Sequence, residues 1–261
     1  MYKRIIKIAS TVISPIVISL FLSACASNPS APKLDTAEKT PEADRALLHT
    51  RLARGYMEQK QYGIAREELE RALRLDPNHS DSNYVMGLLM IQLSNNKDAE
   101  YYLERAVKSD KENASAAHDF GMFLCQTGKE RKSIEYFEIA TSNPFFKSAE
   151  LSFMRAGECL DRIGDPRAEK YLKRALETNP KMRPALFRLA LLKKKSGSNL
   201  SARAYIERYL AITNPQPETL LLAYEIESSL KAYDVAETYR KRILDDFPGS
   251  AAAEKVRNSG R

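Results

Sequence analysis

Residues 46–79 read ALLHTRLARGYMEQKQYGIAREELERALRLDPNH, and residues 80–113 read SDSNYVMGLLMIQLSNNKDAEYYLERAVKSDKEN: two 34-residue versions of one pattern. Laid one on the other, Ala53 falls on Gly87, Ala65 on Ala99, Leu69 on Leu103 and Ala72 on Ala106. Apolar residues recur at three- and four-residue spacing, with no strand-like alternation of any length, so both stretches read as helices. Breakers divide the chain at nearly constant intervals: Asp76-Pro77, Ser109-Asp110, Asn143-Pro144, Asn179-Pro180, Asn214-Pro215 and Phe247-Pro248. The residue before a proline avoids helical angles, so each second helix ends there. Small residues let two antiparallel helices cross closely, and large ones fill the space beside them. No unit of this size buries its apolar face alone, so neighbouring units must stack.

Outward from these two, the pattern continues with Phe120, Gly121, Leu124, Ser133, Phe137 and Ala140, then with Gly157, Leu160, Ala168, Leu172 and Ala175. A fifth unit gives Leu189, Ala190, Ala202, Ile206 and a bulky Tyr209, and a degenerate sixth gives Ala223, Tyr224, Ala236, Arg240 and Ile243. This series resembles the tetratricopeptide repeat, TPR. The resemblance implies an all-α fold, a right-handed superhelix of six helix-turn-helix repeats over residues 44–250. The units run at about 46–79, 80–113, 114–147, 150–182, 183–216 and 217–250, leaving 251–261 as a C-terminal tail. The polar Arg240 position suits a terminal, capping unit. Gly128, Gly164 and Gly197 fall where the chain reverses between paired helices, as left-handed caps require. Ser94-Asn95-Asn96 and Lys60-Gln61-Tyr62 occupy the same place without glycine.

The N-terminus has a different character. Lys3, Arg4 and Lys7 precede a short apolar run from Ile13 to Leu22, and small residues then lead to Cys25. This is the layout of a secretory signal, too short for a membrane span. Leu22-Ser23-Ala24-Cys25 resembles the lipobox of bacterial lipoproteins. The resemblance implies cleavage of residues 1–24 and lipidation of Cys25, and Ala26 after the cysteine favours transport to the outer membrane. Residues 26–43 carry three prolines and almost no large apolar side chains, so residues 25–43 read as a lipidated cysteine and a flexible tether with an average reach of about 25 Å.

Without Lys3, Arg4 and Lys7 the net charge falls from +7 to +4, and basic residues lie among acidic ones along the helices. That pattern is a solvated surface, and nucleic acid is not an expected partner. His49, His79 and His118 fall in three different units, with no metal-binding or nucleophile motif near them, so neither a catalytic residue nor a metal is expected. His49 is expected to pack, and Glu67, Glu68 and Glu70 to be solvated. No cofactor is expected beyond the lipid on Cys25, and no small-molecule substrate.

In a TPR solenoid the first helices line a channel. The stripe facing it contains Leu47, Met57, Tyr84, Leu88, Ile91 and Met122, and apolar side chains exposed together mark a protein-binding groove. Cys125 and Cys159 stand on the first helices of adjacent units, in a compartment that permits disulfides. They read either as a bridge between the third and fourth units or as two buried free thiols.

A lipobox, a short tether and six TPR units together resemble the type IV pilus biogenesis and stability lipoproteins, the pilotins. Residues 53–129 carry the resemblance most closely, including the run DFGMFLCQTGK at 119–129, where Asp119 departs from the family's more usual Tyr or Asn. The resemblance implies a non-enzymatic assembly factor on the periplasmic face of the outer membrane, whose partner is the secretin of the pilus machinery. Two other readings share the physical features: a scaffold for outer-membrane protein insertion or polysaccharide export, and a regulator of a peptidoglycan enzyme.

Overall fold

The computed structural model describes residues 41–258. Over that span it is helical throughout, in paired helices joined by short turns. The pairs are α1 (Pro41–Glu58) with α2 (Tyr62–Leu75), α3 (Ser80–Gln92) with α4 (Asn96–Ser109), and α5 (Ala114–Gln126) with α6 (Glu130–Ser142). They continue as α7 (Ala149–Arg162) with α8 (Ala168–Thr178), α9 (Arg183–Lys195) with α10 (Asn199–Leu210), and α11 (Pro217–Ser229) with α12 (Tyr233–Asp246). A last helix, α13 (Ala251–Asn258), follows. Each second helix packs on the first helix of the next pair, and first helices touch one another along the array. The result is a stacked α-solenoid of six units.

There is no single core. Four buried clusters follow one another along the stack, so each unit is completed by its neighbours. The small residues permit this packing. A Cβ built on Gly87 would stand 2.6 Å from Leu103 Cγ, one on Gly121 2.9 Å from the Phe137 ring, and one on Gly157 2.6 Å from Leu172 Cγ. The alanines at the matching position of other units, Ala53 and Ala190, are fully buried, as are Ala65, Ala72, Ala99 and Ala106 on the second helices.

The turns follow the sequence closely. Among the described residues six have positive φ, one at each turn within a pair: Lys60, Ser94, Gly128, Gly164, Gly197 and Lys231. Between pairs, Asp76, Asp110, Asn143 and Asn179 each accept, through a side-chain oxygen, a backbone N–H two residues on. This local bond turns the chain even at Asp110, where Lys111 stands in place of proline.

Two boundaries differ from the sequence reading. Helix α1 begins at Pro41, inside the stretch read as tether, because proline fits the first turn of a helix and Glu42 and Asp44 suit its N-terminal end. Residues 251–258 form a helix instead of a tail. Ser250 Oγ accepts the Ala253 N–H at 3.1 Å, and Ala252, Ala253 and Val256 are buried beside Leu220 and Ile243. The cap of the solenoid is therefore α13, and Arg240 pairs with Glu237 on its own helix. Residues 1–40, including the signal reading and the Cys25 lipidation site, lie outside the described residues, as do 259–261.

Candidate partner-binding face

The face made by the first helices is stitched from unit to unit by polar side chains. Thr50 on α1 meets Ser82 on α3 at 2.6 Å, and Ser82 meets His79 Nδ1 at 2.7 Å. One pair further on, the ring of Tyr84 is buried and its hydroxyl donates to Asp119 on α5. Next, His118 Nδ1 meets Ser152 Oγ on α7 at 2.7 Å. Thr50, Tyr84 and His118 succeed each other at 34-residue spacing, so one sequence position carries the link between units in each case. Tyr84 was expected in the open channel. It is sealed instead, because Asp119 captures its hydroxyl and Arg54 lies over its ring, 5.4 Å from the centroid. Burial, and then Asp119, raise the Tyr84 phenol well above its ordinary range. Asp119, a departure from the resembled family's pattern, is thus half of a buried link.

The other stripe residues are half-buried. Leu47 sits on α1, and Met57, Leu88 and Ile91 pack at the edge of the first cluster. Met122 packs at the edge of the second. Each of these side chains is partly exposed. From α7 onward the same face becomes ionic. Glu158 binds Arg155 at 2.9 Å and also Arg188, while Glu225 binds both Lys194 and Lys255. A cavity of about 390 Å³ opens there among Asp161, Leu191, Leu192, Lys194 and Lys195. Over the first three units the half-buried apolar residues thus lie among polar links, and from α7 onward ion pairs take over.

Cys125 and Cys159 are joined in the structure, with Cα atoms 5.9 Å apart and both side chains buried. The link crosses from α5 to α7 where the face changes character, and the Cys125 carbonyl accepts Arg162 at 3.0 Å.

Among the carboxylates read as solvated, Glu68 is buried. His49 Nδ1 and Arg71 Nη1 each stand 2.7 Å from its carboxylate, tying α1 to α2. Among the described residues no group of side chains is arranged to hold a metal, and no helix is long and apolar enough to cross a membrane.

Burial lowers the His118 imidazole pKa; Asp119 opposes that shift and Arg155 adds to it. The ring therefore stays neutral to a lower pH in the folded protein than in the unfolded chain, which protonates it below pH of about 6.5. The stability it contributes is complete above that pH and declines as pH falls through the depressed folded value. We expect the urea midpoint to fall between pH 7 and pH 5, and to fall less steeply in His118→Gln. Identical slopes in the two proteins would remove His118 from the cause.

The fold is a TPR-type solenoid, and the tetratricopeptide repeat family model matches residues 46–79. Within that class the chain is similar to PilW, a widely conserved type IV pilus biogenesis factor, at 28% identity and a TM-score of 0.61 over 81% of this chain and 97% of that one. It also shares its fold with Pseudomonas aeruginosa PilF, at 19% identity and a TM-score of 0.66 over 84% of this chain and 100% of that one. YrrB, a TPR protein with an unusual peptide-binding site, shares the fold at 16% identity and a TM-score of 0.61, over 73% of this chain and 97% of that one. A search of curated protein sequences finds no match.

Proposed function

We propose that this chain is a non-enzymatic outer-membrane lipoprotein that promotes the localisation and multimerisation of a type IV pilus secretin. The observation that carries this reading is the half-buried apolar stripe Met57, Leu88, Ile91 and Met122 on the first helices, in a solenoid similar to PilW. Side chains with one flank packed and one flank open suit a peptide-like client, since they are already ordered and lose little entropy on contact. Methionine adapts its shape to irregular partners. The lipobox supplies the address. Holding the solenoid at the membrane raises the local concentration of the client, so a modest affinity suffices.

Exchanging Leu88 and Ile91 for lysine tests the face. Each lysine can lay its alkyl stem where the apolar flank lay and keep its charge in water, so the fold survives. In a strain lacking the native gene, this variant is expected to leave far fewer secretin multimers in the outer membrane than the parent protein does. Parental multimer levels, with circular dichroism showing a folded variant, would count against binding at this stripe.

A further inference from the structure

The two ends of the solenoid are finished differently. At the C-terminal end α13 covers the last pair with Ala252, Ala253 and Val256. At the other end α1 displays Leu48 and Leu52, 57% and 44% exposed. The matching residues of the next four units are Ser82, Ala116, Ser152 and Ala185, and Met86, Phe120, Ala156 and Leu189, none more than 2% exposed. In those units the second helix of the preceding pair packs on the first helix. Among the described residues no helix precedes α1, so its stacking surface is left open. Gly55 keeps this surface flat, since a Cβ there would meet nothing within 4 Å. The charged residues beside the leucines at three- and four-residue spacing are Asp44, Arg45 and Arg51, all exposed.

We propose that this end face seats on a phospholipid surface, with Leu48 and Leu52 at the acyl boundary and Arg45 and Arg51 among the phosphates. Leucines at the acyl boundary with arginines among the headgroups are the contacts an interfacial segment makes. The proposal rests on the lipid-anchor reading of Cys25. Residues 26–40, read from the sequence as a tether, stand between that cysteine and Pro41, the first residue of α1, and a chain of that length has an average reach of about 20 Å. The anchoring surface is therefore within reach of α1. Two leucines supply far less than the roughly 800 Å² per partner of a stable protein interface, which argues against a second copy as the occupant. A tethered surface needs no such area, because the tether sets the effective concentration.

The chain contains no tryptophan, so a single Leu48→Trp substitution gives an isolated probe, and Tyr233→Trp on α12 gives a control at the far end. The full mature protein is placed on vesicles of phosphatidylethanolamine and phosphatidylglycerol carrying brominated acyl chains. Emission from Leu48→Trp is expected to fall by about half or more on these vesicles, as for a ring at the acyl boundary. Emission from Tyr233→Trp is expected to stay constant, and adding Leu52→Glu to Leu48→Trp to restore the lost signal. Unquenched emission from Leu48→Trp in protein that floats with the vesicles overturns the proposal. So does a vesicle-free dimer, by light scattering, that Leu52→Glu dissociates. Protein that does not float at all refutes the anchor reading separately. The end face is then tested on protein joined through Cys25 to a maleimide headgroup: quenching there supports the proposal, and its absence overturns it.

Discussion

The Cys125→Ala, Cys159→Ala double variant is expected to unfold with about 4 kcal/mol less free energy than the oxidised parent, in the chain-entropy view of a loop of this length. Reductant should bring the parent down by a similar amount and leave the variant unchanged. The cysteines stand 34 residues apart on α5 and α7, and their link crosses the junction between the third and fourth units. In a solenoid each unit is stabilised mainly by its neighbours, so the loss is local to that junction. Urea unfolding followed by circular dichroism should show it as a lower midpoint or as a second, earlier transition. Alkylation of both thiols after denaturation without reductant would show that the link is absent from the protein.

Gly157→Val is expected to cost about 3 kcal/mol, because the added branch has no room. A Cβ at that position already stands 2.6 Å from Leu172 Cγ and 3.1 Å from the Ala168 carbonyl oxygen. The leucine can turn aside only by opening the second cluster, and the carbonyl belongs to the backbone of α8. Gly55→Ala gives the contrast. It lies in helix α1 with nothing near its Cβ position, and helix propensity alone should make that protein more stable by about 0.5–1 kcal/mol. Equal effects from the two substitutions would show that close helix crossing is not what glycine provides at position 157.

Most of the fold was legible in the chain because a repeated unit repeats its signals. Ala65, Ala99 and Leu69, Leu103 mark the same crossing twice, and each breaker recurs at nearly the same interval. The positive-φ turns at Gly128, Gly164 and Gly197 were marked by glycine, whereas Lys231 carries the same geometry with no such mark. The capping helix α13 was less visible, since the run after Ser250 is short and has no repeat to announce it. Of the stripe residues, Tyr84 was misplaced for a specific reason. Helical spacing put it on the channel side, but spacing carries no information about a hydrogen bond to Asp119 on another helix. Glu68 was misplaced likewise, since its partner His49 lies 19 residues away. A usable signal did exist: a polar residue at the fifth position of one unit recurs opposite a polar residue at the third position of the next, as Thr50 with Ser82 and His118 with Ser152.

The central claim is that a lipid-held stack of helix pairs offers its first-helix face to the pilus secretin. Co-purification of the full-length protein from detergent-solubilised envelope tests it most directly. Recovery of a secretin ring with the parent protein, and its loss when Leu88 and Ile91 are exchanged for lysine, is the expected result. Recovery of a barrel-insertion complex or a peptidoglycan synthase or hydrolase instead, with no secretin, would contradict it.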